Sequence, residues 1–225
     1  MFAFLEATPD IYQGHFGEFT ISKTDRIEVV IYRGAMLVAA LTFTIGAIVF
    51  LSLGPLPITL SCLTGLFFCF SIALGVSLAT IHIYLRPLHL TLQISWLIGS
   101  VVAIYIALTQ SDPLLVAIYR HSSNLFGVGW LFVALTGVFF KEAFCFNHGE
   151  TKLLTGIVPF LLLGHWLNWL PVTGEKILLV AWVVLFLIFA LRKTLKPIPP
   201  DIGDKSVFTY LRQQRLHSSS PVSTD

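Results

Sequence analysis

The chain has 225 residues, 56% of them hydrophobic and 12% charged, with a formal net charge of +2. Soluble domains carry roughly 25% charged residues, so half that share cannot cover a water-soluble globule of this length. A net charge of +2 is also too small for the basic surface that nucleic acid requires, so no nucleic-acid partner is expected.

The charges are segregated. No Asp, Glu, Lys or Arg occurs from Gly34 to Leu85, Pro87 to Ser111, His121 to Phe140, Leu153 to Gly174, or Ile177 to Leu191. A bilayer core needs about 20 apolar residues per helix, and these gaps are of that size or a multiple of it. A closed barrel, the other way to cross a membrane, needs alternating residues, and Leu178–Leu191 does not alternate. The composition therefore predicts an all-α, polytopic transmembrane bundle whose first partner is the lipid bilayer.

Residues 1–21 read as a polar, aromatic-rich lead-in, and the first 28 residues carry five acidic residues and no cleavable signal. Ser22-Lys-Thr-Asp25 fits a capping box that starts a helix leading into span one, 29–53. Gly54-Pro-Leu-Pro57 turns the chain into span two, 58–83, where Gly65, Ser71, Gly75 and Ser77 suggest close helix packing. Arg86-Pro87 punctuates the next connection, because proline breaks a helical ladder. Span three covers 89–109, and residues 114–121 suit a short interfacial helix. Span four covers 124–141, and KEAFCFNHGETK at 141–152 is a polar island. Span five covers 153–170 and span six 175–192. The tail from 193 contains Pro197, Pro199 and Pro200, and its last stretch, HSSSPVSTD, has the composition of disorder.

Six spans sort the basic residues sharply. One side receives Lys23, Arg26, Arg33, Arg86, Lys141, Lys152, Arg192, Lys193, Lys196, Lys205, Arg212 and Arg215, and the other only Arg120 and Lys176. The positive-inside rule then places both termini inside, with 29–192 as the membrane domain and 1–28 and 193–225 as cytoplasmic segments.

The inside face also gathers the polar chemistry. His82, Arg86 and His89 flank the connection of spans two and three, and Glu142, Cys145 and His148 lie between spans four and five. Cys, His and carboxylate are competent transition-metal ligands, but the spacing matches no standard zinc signature. A solvated loop or a partner-docking surface explains the same residues. His165 and Asn168 lie within span five, three residues apart and on one expected face, where polar groups are costly and often functional. Gln93 in span three is a candidate partner for them. A haem or pigment ligand, a proton path and a plain interhelical hydrogen bond remain open for His165. No HExxH motif and no phosphate-binding Gly-Lys-Ser/Thr loop occurs, which disfavours those enzyme classes. No cofactor is identified.

Four strings stand out from ordinary membrane sequence: YQGHFGEFTI at 12–21, TIHIYLRPLH at 80–89, KEAFCFNHGETK at 141–152 and PIPPDIGDKSVF at 197–208. With the six apolar runs, they resemble an uncharacterised integral membrane protein family of cyanobacteria, with relatives in plant plastids, defined as a domain of unknown function. The resemblance implies a cyanobacterial plasma or thylakoid membrane and supplies no catalytic residues. All four strings fall on the expected inside face. A scaffold or assembly factor docking a membrane-protein partner from the cytoplasmic side accounts for them. A channel or transporter for a small solute is the alternative, and a metal- or pigment-binding protein is the least economical.

Overall fold

A computed structural model describes residues 10–207 and 210–211. In chain order these are β1 (Ile11–Gly14), β2 (Gly17–Thr20), α1 (Lys23–Leu53), α2 (Pro57–Thr80), α3 (Arg86–Thr109), α4 (Leu114–Arg120), α5 (Ser122–Phe146), α6 (Gly149–Trp166), α7 (Val172–Leu195) and α8 (Pro199–Ile202). Helices α1, α2, α3, α5 and α7 are long and apolar enough to cross a membrane. Helix α6 has 18 residues, with Glu150 and Lys152 in its first turn. The chain divides into two bodies, residues 31–196 and a terminal body made from the segments before 31 and after 196.

The helical body is organised around α5, which packs on α3, α4 and α6, while α6 packs on α7 and α2 packs on α3 and α4. One core joins six helices through Tyr32 and Met36 of α1, Phe70 and Leu74 of α2, Leu92 of α3, Leu131 and Phe139 of α5, Val158 of α6, and Trp182 and Phe186 of α7. On α1 the buried residues Tyr32, Met36, Ala39, Ala40 and Ala47 follow the helical period, so one stripe faces the core. Large apolar side chains elsewhere on these helices, such as Ile45, Ile72, Val101, Phe160 and Val184, are exposed, as lipid contact requires.

Small residues set the closest approaches. At Gly99 of α3 a Cβ would lie 2.4 Å from the backbone nitrogen of Leu131 in α5. At Gly75 of α2 a Cβ would enter the Trp96 ring at 2.3 Å, and that indole donates to the Ser71 carbonyl at 2.8 Å. Ser71 also bonds Ser100 at 2.8 Å. Of the four span-two residues expected to pack closely, Gly75, Ser71 and Ser77 are packed, whereas a Cβ at Gly65 would meet open space.

The terminal body corrects the expectation that residues 1–21 are only a polar lead-in. Residues 11–20 form an antiparallel hairpin with Tyr12 opposite Phe19 and a two-residue turn at His15-Phe16. Gly17 there holds φ +132, which suits glycine. Asp204 accepts from the His15 amide at 2.6 Å, and Ser206 Oγ accepts from the Phe16 amide at 3.0 Å. The turn thus has both amides satisfied by side chains about 190 residues away. Ile21, Val29 and Ile202 form a small core beneath it, joined by Tyr12, Phe19 and Ile198. Phe16 stacks on Tyr210 with centroids 4.2 Å apart, and Lys205 pairs with Asp25 at 2.7 Å. The capping box is present, since Ser22 Oγ accepts from the Asp25 amide and the Asp25 carboxylate accepts from the Ser22 amide. Residues 217–225, expected to be disordered, lie outside the described residues.

The other differences concern helix ends. Helix α2 stops at Thr80 rather than 83, and α5 continues to Phe146, so the first half of the polar island is helical. Helix α6 begins at Gly149 and ends at Trp166, so Asn168 lies beyond it.

Candidate functional site

The polar side chains of the helical body gather at two ends of the bundle. At one end, Glu142 of α5 is 1% exposed. Its carboxylate accepts from Lys193 of α7 at 2.5 Å, from Lys141 at 2.9 Å and from the Tyr32 hydroxyl of α1 at 3.0 Å. Three helices therefore meet on one buried anion. Lys193 is itself 3% exposed. Such a group is tolerated in an apolar interior only with charge and hydrogen-bond partners.

Next to it, Phe146 carries three ammonium groups over its ring, with Lys193 at 4.0 Å, Lys196 at 4.8 Å and Lys141 at 5.7 Å from the centroid. His148 lies parallel to Phe146 with centroids 6.1 Å apart. Arg192 pairs with the buried Glu150 at 3.2 Å. Asn147, in a left-handed conformation at φ 55, ends α5 and turns the chain into α6.

At the other end, His165 Nδ1 lies 2.6 Å from Glu175 of α7, and its Nε2 is 3.3 Å from the Tyr119 carbonyl. The Tyr119 hydroxyl donates to the same Glu175 at 3.3 Å, and its ring sits 4.4 Å from the imidazole. This trio fastens α4, α6 and α7. Both nitrogens of His165 are engaged, so an axial cofactor bond would displace an existing partner.

The eight residues singled out in the sequence do not converge. His82 is half-buried in the connection between α2 and α3, and Arg86 is exposed at the first position of α3. His89 places Nε2 2.7 Å from the Leu78 carbonyl, to which Gln93 also donates at 3.3 Å. That carbonyl belongs to the last turn of α2, which has no helical donor of its own. Gln93 thus works with His89, not with His165. Cys145 is exposed, while Glu142 three residues earlier is buried. His148 faces Arg192 and Lys196.

Asn168 corrects the expectation of a shared face with His165. It holds φ 55, its amide donates to the His165 carbonyl at 3.0 Å, and the Trp169 amide donates to the Gly164 carbonyl at 2.8 Å. These are the two bonds of a Schellman helix end with asparagine at the left-handed position. Asn168→Gly should leave thermal stability unchanged or higher, and Asn168→Val should cost about 1–2 kcal/mol, both read by detergent-phase melting. Equal melting of the two variants would contradict the capping role.

Tyr32, Lys193, Tyr119 and Glu175 had not been singled out in the sequence. Each stands at the edge of an apolar run beside a basic residue, at Arg33, Arg120, Lys176 and Arg192.

A lateral groove of about 590 Å³ runs along α5 between α3 and α6, lined by Leu92, Phe126, Trp130, Phe140, Pro159 and Trp166 among others. Its lining is apolar apart from threonine hydroxyls, of which Thr136 and Thr155 bond their own helices.

Residues 76–210 match the family described as an uncharacterized integral membrane protein, DUF2301. A protein of Haemophilus influenzae, described as uncharacterized, is 27% identical over 187 residues, 82% of this chain and 91% of that protein. This relative carries the similarity beyond the cyanobacteria and plastids that the sequence resemblance implies. No solved structure matches the chain. With the family match extending over more than half its length, the chain belongs to the DUF2301 integral membrane proteins.

Proposed function

We propose that this is a six-span membrane protein with both ends on the inside, and that it serves as a docking or assembly protein for a membrane-protein partner, not as an enzyme. The sixth span is α6. Glu142 near the end of α5 meets Lys193 near the end of α7, and His165 at the end of α6 meets Glu175 at the start of α7. Helices α5 and α7 therefore run the same way, and α6 returns the chain between them over about 27 Å at 1.5 Å per residue. The split of basic residues gives the orientation.

The observation that carries the docking role is the terminal body. It brings two of the four distinctive strings, 12–21 and 197–208, into one small fold latched by Asp204 and Ser206. Ile11 and Phe16 on its hairpin are 65% and 45% exposed. These side chains are the contact points we assign to the partner. A cyanobacterial plasma or thylakoid membrane is supported by the resemblance alone. The role of a solute channel has less support. His165, Gln93 and Asn168 each have a local partner, and the groove along α5 is apolar.

Affinity-tagged protein isolated from its native membranes in mild detergent should carry one membrane protein in near-equal amount. Asp204→Ala should abolish that recovery while membrane insertion is unchanged. Full recovery of the partner with Asp204→Ala, or no stoichiometric partner with the native chain, contradicts the proposal. Hydrogen bonds from Ser206 and the His15 amide hold the Asp204 carboxyl below its ordinary value. A depressed carboxylate stabilises the fold above its unfolded pKa and loses that contribution as pH falls through its folded one. Partner recovery by the native chain should therefore weaken on acidification below about pH 4.

A further inference from the structure

His148 sits between two groups that can only donate. Its Nδ1 lies 3.4 Å from Nη1 of Arg192, and its Nε2 contacts Nζ of Lys196. Guanidinium and ammonium have no acceptor, and a neutral imidazole has a single acceptor nitrogen. Whichever tautomer forms, one contact sets a donor against a donor. Protonating the ring would make both contacts so and add a further positive charge.

The surroundings share this excess. Lys141 and Lys193 bond Glu142, and Arg192 pairs with Glu150, so these carboxylates are already engaged by other cations. Among the described residues Lys196 has no carboxylate partner; its ammonium rests on the Phe146 ring and on His148. Helix α6 begins directly after His148 without a side-chain cap, which adds the positive end of its dipole. An ordinary solvated loop would let these long side chains spread apart. Here they converge on one ring and, resting on the six-span reading proposed above, at the level where helix ends meet lipid headgroups.

We propose that Arg192, Lys196 and His148 form a binding site for the phosphate of an anionic phospholipid in the inside leaflet. A phosphate oxygen supplies the anionic acceptor that Lys196 and His148 lack, and a second acceptor for Arg192 beside Glu150. His148 then takes up a proton from solvent and donates from both nitrogens. Without the phosphate, burial first and then Lys196, Arg192 and Lys193 hold His148 below its ordinary pKa, opposed by Glu150. These charged groups, with the Phe146 ring from α5, are the ones that face it. Binding is therefore coupled to protonation and tightens as pH falls through the ordinary histidine range, about 6.5.

The test uses full-length protein in nanodiscs of phosphatidylcholine alone or with phosphatidylglycerol, with retained lipid counted by native mass spectrometry. Phosphatidylglycerol should be retained at least tenfold over phosphatidylcholine, a difference of about 1.4 kcal/mol. The preference should vanish in R192Q/K196Q, persist in Lys196→Arg, and persist in Arg120→Gln, which alters the exposed pair with Asp112. Retention should be stronger near pH 6 than near pH 8, and His148→Gln should remove that difference. Unchanged circular dichroism and gel filtration show that R192Q/K196Q is folded, and Lys196→Arg keeps the test informative if it is not. Equal retention of the two lipids, or an undiminished preference in folded R192Q/K196Q, overturns the site. Binding of inorganic phosphate with the same mutational pattern and no lipid preference overturns the lipid source and assigns the site to a soluble phosphate.

Discussion

Glu142→Gln should destabilise the helical body by about 3–5 kcal/mol, the usual cost of removing one partner from a buried ion cluster. The carboxylate is shared by two ammonium groups and a phenol, and both Glu142 and Lys193 are almost fully buried. Glutamine keeps the shape but not the charge. Lys141 and Lys193 would then face each other across an amide whose NH₂ end repels them. Replacing the cluster as a whole is a different matter, because apolar groups of similar volume need no partners. E142L/K193M should therefore recover part of the loss. Unfolding titrations in mixed micelles read both effects. A change below about 1 kcal/mol in Glu142→Gln would mean that the cluster is solvated in the membrane and contributes little.

Gly99→Ala should cost about 3 kcal/mol, toward the upper end for an overpacked core, although alanine is the better helix former by about 1 kcal/mol. The added methyl would meet Leu131 at its backbone nitrogen, Cβ and Cα, at 2.4, 2.7 and 2.9 Å. Backbone atoms cannot rotate aside, so α3 and α5 must separate along their contact. Gly65→Ala is the matched control. Its Cβ meets nothing within 4 Å, and it should be neutral or stabilising. Similar melting temperatures for the two variants would show that α3 and α5 do not approach as described.

The helices were legible in the sequence because charge-free runs and bilayer thickness leave few alternatives. Turn chemistry also showed where it is local, as at Gly54, whose φ is +69, and in the capping box at Ser22. The hairpin was hidden for the opposite reason. Its strands are four residues long, its turn is His15-Phe16 without an Asn-Gly signal, and its latch comes from Asp204 and Ser206 at the far end of the chain. The end of α6 was misplaced because Leu167 and Trp169 continue the apolar run past the true stop. Asn168, a residue type that ends helices in the left-handed conformation, is the available signal, and extending span five to 170 places it inside the membrane instead. Glu142 and His148 were picked out by residue type, but their partners were not. Lys193, Arg192 and Lys196 lie 40 or more residues away, and only the packing of α5, α6 and α7 brings them to the same place.

The most direct test is the sidedness of the two ends of α6. Cys145, exposed just before α6, is kept in a Cys62→Ser/Cys69→Ser background, and a second protein carries Thr173→Cys, in the first turn of α7 beyond the far end of α6, with Cys145→Ser added. Both are labelled with a membrane-impermeant maleimide in right-side-out and inverted vesicles. If α6 is a span and the Glu142 end faces inside, Cys145 labels only in inverted vesicles and the cysteine at 173 only in right-side-out ones. Labelling of both from the same side would mean that α6 does not cross, leaving five spans and removing the inside placement of the two termini together.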